Sequence, residues 1–184
     1  MPGLMSRIRA AIRRETGTAS LEAVLVAPML FVASCELTDL FLGFRMNGLS
    51  YRAAYSVADA LARTDSTGIS QDELDDLYEL FQFLLREDPE SGLRVSVVAL
   101  ELDPETGAPE EVLKFSHVAG PAFEPLTDTA PIAARIPTLG LGDEVIVTET
   151  FAHWEPLYLD VGTRTFHEAI VTRPRFVTQV LWDE

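Results

Sequence analysis

Residues able to do chemistry are few in this chain of 184 and widely spaced. His117, His153 and His167 are its three histidines and Cys35 its single cysteine; none stands in a His-Glu-x-x-His pair or beside another thiol. A Gly-rich phosphate loop is missing, and so is a Gly-x-Ser-x-Gly nucleophile turn. Asp72, Glu73, Asp75 and Asp76 bring four carboxylates together, without the alternation of a calcium loop. They open a helical pattern, where the helix dipole favours negative charge. This inventory assigns no catalytic residue, no metal and no cofactor, and it points away from an enzyme. Recognition has better candidates. Trp154, within His153-Trp154-Glu155-Pro156, and Arg173 and Arg175, flanking Pro174, are possible partner contacts. Core packing for Trp154 and pairing with nearby acids for the two arginines are their other roles.

The elements that must carry such residues begin with an uneven distribution of charge. Lys plus Arg total 14 against 29 Asp plus Glu, a formal net charge of −15. Residues 1–42 are neutral: Arg7, Arg9, Arg13 and Arg14 balance Glu15, Glu22, Glu36 and Asp39. The whole excess lies beyond them. So acidic a surface excludes nucleic acid as a partner, since phosphate binding needs clustered basic side chains. A hydrophobic share of 47% excludes a disordered chain, and one cysteine excludes a disulfide framework. Basic first and apolar second is the order of a membrane segment whose N-terminus stays in the cytoplasm. Residues 1–17 are the basic leader, and residues 18–44 supply a stretch long enough to span a bilayer. Glu22, Glu36 and Asp39 inside that stretch are costly in lipid, so each calls for a partner or a function. Pro28 predicts a kink.

Two processing motifs overlap this segment. Val32-Ala33-Ser34-Cys35 loosely resembles a lipobox, in which Cys35 would carry lipid. Arg13-Arg14-Glu15-Thr16-Gly17-Thr18-Ala19-Ser20-Leu21-Glu22 resembles the type IV prepilin signature: a basic leader ending in Gly, then an apolar helix with Glu at its fifth position. The run from Arg14 to Ala23, Pro28 and the following Phe-Leu-rich helix further resemble the TadE/TadF-like minor pseudopilins of the tight-adherence (Flp-type) pilus. Val171-Thr172-Arg173-Pro174-Arg175-Phe176 resembles that family's closing segment. The resemblance implies cleavage by a prepilin peptidase between Gly17 and Thr18. It also implies a register role for Glu22 against a neighbouring subunit, and pilins, pseudopilins and the inner-membrane assembly platform as partners. Losing four Arg and one Glu with the leader would take the charge from −15 to −18.

Beyond the anchor, Phe44, Tyr51, Ala54, Tyr55, Ala58, Leu61 and Ala62 recur at helical spacing, so residues 45–63 read as an amphipathic continuation of the same helix. Residues 70–184 read as an α+β periplasmic or extracellular domain, against which that stripe packs, or else it faces a partner helix. Ser70-Gln71-Asp72-Glu73 is a capping box, and Leu74, Leu77, Tyr78, Phe81, Leu84 and Leu85 form a helical stripe behind it. Strands are predicted over 93–102, 112–118, 144–154, 165–172 and 176–182, with 103–109 as a hairpin turn and 120–142 as a long loop. The fold class is thus α+β: a long membrane helix, then a pilin-like domain with one amphipathic helix and a mostly antiparallel sheet.

Together these features predict a single-pass inner-membrane protein in contact with lipid, its C-terminal domain periplasmic or on a pilus. The resemblance implies a role in priming, capping or supporting assembly of a tight-adherence pilus. The alternative is a periplasmic binding or sensor domain held by the same anchor, or by lipid on Cys35, with no pilus role.

Overall fold

A computed structural model describes residues 16–64, 68–86, 90–121, 123–159 and 162–183 of the chain. The architecture is α+β, with a long apolar N-terminal helix, a second helix and a four-stranded antiparallel sheet. Helix α1 spans Thr16–Ala62 and continues through Pro28 without interruption. Pro28 has no N–H to offer the carbonyl four residues earlier, so Val24 loses its helical partner there. Hydroxyls along α1 return to the backbone, Ser34 Oγ to the Leu30 carbonyl at 2.7 Å and Thr38 Oγ1 to the Ser34 carbonyl at 2.8 Å. Each hides its own polarity inside the helix. Contacts divide the chain into two compact units, Met1–Leu42 with Pro156–Val161, and Gly43–Glu155 with Gly162–Glu184.

In the second unit, β1 (Gly68–Ser70) leads directly into helix α2 (Gln71–Leu85). Ser70 caps α2, its hydroxyl accepting from the Glu73 N–H at 3.3 Å. Glu73's carboxylate takes the Thr64 hydroxyl at 3.1 Å. At the other end Arg86 adopts the left-handed conformation and its N–H closes on the Gln82 and Phe83 carbonyls.

Strands β2 (Gly92–Leu102), β3 (Pro109–Ala119), β4 (Glu144–Trp154) and β5 (Arg164–Thr172) form the sheet in the order β3-β2-β4-β5. Register gives its two faces different neighbours. Leu93, Val95, Val97, Ile146 and Ala152 point to one face and pack against Ala53, Val57 and Leu61 of α1 and Leu74, Phe81 and Leu85 of α2. Val98, Val145 and Val147 point to the other, where Leu126, Ile132, Ile136 and Leu139 cover them. The 120–142 loop, with one 3-10 turn at Ala133–Arg135, is therefore a packed layer of the core.

The C-terminal segment departs from its sequence reading. Residues 176–182 do not add a strand to the antiparallel sheet. Only Leu181–Asp183 is extended, as β6, and it pairs in parallel with β1. Pro174 lacks the N–H a ladder needs. The Arg175 N–H instead donates to the Ala62 carbonyl at the end of α1, at 3.0 Å, and the Val180 N–H to Glu144 at 2.8 Å.

Candidate functional site

Gly17 and Thr18 lie in the first turn of α1, in helical rather than extended backbone. From Leu21 to Phe44, twelve large apolar side chains are exposed, Met29 at 73% and Phe31 at 71% among them. At ~1.5–3 kcal/mol for removing each from water, such a surface demands an apolar medium or an apolar partner. Among the described residues, one helix is long and apolar enough to cross a membrane, and this is it. Glu22 and Glu36 are exposed on it, and Cys35 is half-buried.

Asp39 behaves differently. It is 1% exposed, although Leu37, Leu40 and Phe41 beside it are exposed. Its carboxylate lies under the turn at 157–159 and accepts from three successive backbone amides. Oδ1 takes the N–H groups of Leu157 at 2.9 Å and Tyr158 at 3.2 Å; Oδ2 takes those of Tyr158 at 3.1 Å and Leu159 at 2.9 Å. Amides arranged in this way form a concave anion site, filled here by a side chain of the same chain. The sequence marks Asp39 as an acid needing a partner, but backbone amides 118 residues away leave no trace in residue type.

The second unit holds the remaining candidates. Trp154 is half-buried, with Cζ2 of its indole 3.3 Å from where a Cβ on Gly43 would stand, so the ring packs on a bare stretch of helix backbone. Arg173 pairs with Asp143 at 3.1 Å and Arg175 with Asp59 at 2.9 Å; Arg63 also reaches Asp59, at 2.8 Å. Each of the three residues singled out for partner contacts thus makes an intrachain contact, and both arginine side chains stay more than half exposed.

The histidines go to separate places. His117 lies on the helix-facing side of the sheet, stacked on Trp182 with ring centroids 3.4 Å apart. His153 pairs with Glu90 at 3.3 Å, and His167 with Glu149 at 2.9 Å, both on the opposite side. Among the described residues, no three of His, Cys, Asp and Glu are placed to hold a metal ion.

Sequence reading missed the most tightly bound polar cluster. Glu149, 2% exposed on β4, takes Arg94 from β2 and His167 from β5. Burial pulls its carboxyl pKa upward, but hydrogen bonds from His167 and Arg94 and the Arg94 charge outweigh burial and hold it below the ordinary value. Phe151 is stacked between Phe123 and His167, and Arg94 also donates to the Glu124 carbonyl at 3.0 Å. The cluster thus ties three strands to the start of the covering loop. Strict alternation along 144–154 was its signal, since Glu149 shares a face with Val145 and Val147.

No protein-family model, curated protein or solved structure matches this chain.

Proposed function

We propose that this chain is a minor pseudopilin of the TadE/TadF-like kind, which primes, caps or supports assembly of a tight-adherence pilus from the bacterial inner membrane. One observation carries the reading: α1 is 47 residues long, bare and apolar over its first half and built into a domain core over its second. Such a helix is both an anchor and a handle, through which a force on the membrane segment is transmitted to the folded domain. The order of basic leader, Gly17, Thr18 and Glu22 supports the same reading. In it, a prepilin peptidase frees Thr18, and the new ammonium group meets Glu22 of an adjacent subunit, so that two charges cancel at the cytoplasmic edge of the bilayer. The exposed position of Glu22 suits an intermolecular role. Other pilins, the assembly platform and lipid are the partners, and the acidic domain lies in the periplasm or on the pilus.

Mass spectrometry of the protein recovered from membranes tests this. The expected N-terminus is Thr18, with Glu22→Ala abolishing surface pili while the protein stays in the membrane. An intact leader, or lipid on Cys35, rejects the processing. Normal piliation in Glu22→Ala favours a sensor or binding domain on the same anchor.

A further inference from the structure

Leu157 and Tyr158 are exposed at 68% and 55%, yet the turn that carries them is fixed by Asp39 through four hydrogen bonds to three amides. In water, a surface turn has no need to bury a carboxylate for its amides, because solvent satisfies both. Near hydrocarbon the need is absolute. Irregular backbone there must be satisfied internally, and a carboxylate there must be screened. Asp39 and the turn do both for each other.

Helix length puts this pair near the far end of the apolar span. Leu21 to Leu40 is twenty residues, ~30 Å of helix. The hydrocarbon core of a bilayer is ~30 Å thick. With Leu21 at one boundary, Asp39 lies at the other. Tyr158 has the apolar ring and polar tip that collect at this boundary, and Leu157 beside it is purely apolar. Leu40 and Phe41, exposed at 56% and 66%, continue the apolar surface along α1.

From this we infer that the Leu157–Leu159 turn is a second membrane contact, seated at the headgroup–acyl boundary of the bilayer that α1 crosses, with Asp39 as its internal anchor. The inference rests on α1 spanning the membrane and not on any pilus role. Its consequence is mechanical: the turn stops α1 from sliding deeper, and withdrawing the helix also requires pulling Leu157 and Tyr158 from lipid.

Power-saturation spectroscopy on nitroxide-labelled protein tests this. The full chain, with Cys35→Ala, is reconstituted in phosphatidylcholine–phosphatidylglycerol vesicles, with single cysteines at Leu157→Cys, Leu30→Cys and Leu141→Cys. Leu141 is an exposed position of the second unit. Position 157 should show an oxygen-to-nickel-chelate accessibility ratio between the high value at 30 and the low value at 141. In an Asp39→Leu background, the spectrum at 157 should sharpen to that of a mobile label. A ratio at 157 equal to that at 141 overturns the membrane contact. So does spin–spin broadening at 157, which would mean that a second copy covers the turn. An unchanged spectrum in Asp39→Leu overturns the anchor. A low ratio at 30 removes the spanning helix and the proposal with it, whereas a high ratio at 30 with a low one at 157 rejects the turn alone.

Discussion

Arg94 and Glu149 meet across β2 and β4 with Nε and Nη2 of the guanidinium each 2.7 Å from the same carboxylate oxygen, Oε2. The acid is 2% exposed and the Arg side chain 14%, so the pair is largely withdrawn from water. Oε1 is left for His167.

Breaking this pair from one side should be severe, because it leaves a buried charge without its counterion. Arg94→Leu is expected to lower unfolding stability by ~3–5 kcal/mol. The double replacement Arg94→Leu/Glu149→Leu should cost less than Arg94→Leu alone, since no charge is then stranded. Denaturant unfolding of the full chain in detergent, followed by circular dichroism, measures both. A double variant less stable than the single would show that the pair is net stabilising beyond its own desolvation.

The same pair sets an acid limit. Glu149's folded pKa lies below its ordinary 4.5, so the folded state binds its proton more weakly than the unfolded chain does. Its contribution is complete above about pH 4.5 and is lost as the pH falls through the folded value. Glu149→Gln should therefore be less stable than wild type at neutral pH, with the gap closing in acid. Parallel melting curves across pH 7 to 3, with a gap that stays constant, would contradict the assignment.

His117 predicts a second pH dependence of different origin. Burial against Trp182 pulls its pKa below the ordinary 6.5, because the charged ring is the form that loses water. Between that folded value and 6.5 the unfolded chain carries the extra proton, so stability declines as the pH drops below about 6.5. Protonation beside a stacked indole quenches its emission. In a Trp154→Phe background, Trp182 fluorescence should titrate with a midpoint below 6.5. A midpoint above it would mean that the cation is stabilised by the ring rather than penalised by burial.

Gly120 ends β3 at φ +93°, and a Cβ there would come 2.7 Å from the Ser91 carbonyl, which itself accepts the Tyr78 hydroxyl at 3.1 Å. Both the conformation and the space are closed to an L side chain. Gly120→Ala should lose ~1–3 kcal/mol and loosen the Tyr78 contact. An unchanged unfolding midpoint would show that the 120–142 loop is free to shift away from Ser91.

Local pattern was enough for the elements whose partners are near in sequence or interchangeable. The alternation from Glu144 to Trp154 is β4, and the Ser70 hydroxyl with the stripe from Leu74 to Leu85 is α2. Period and capping are properties of consecutive residues, so they are legible without a fold. The stretch from Phe176 to Trp182 shows where this stops. Its residues suit a strand, but Pro174 and the capture of Arg175 by the end of α1 sent it to a different neighbour.

Sequence by itself determined a basic N-terminal stretch ahead of an apolar helix, a strongly acidic remainder, and an α+β order of elements. Those follow from side-chain hydrophobicity and charge, which residue type specifies. Tertiary structure alone decided what hides each buried acid. Asp39 is buried by amides that any sequence possesses, Glu149 by an arginine and a histidine on separate strands, and Val98, Val145 and Val147 by a loop rich in proline. Each depends on chain closure over many residues, and closure is a property of the fold rather than of any local spacing.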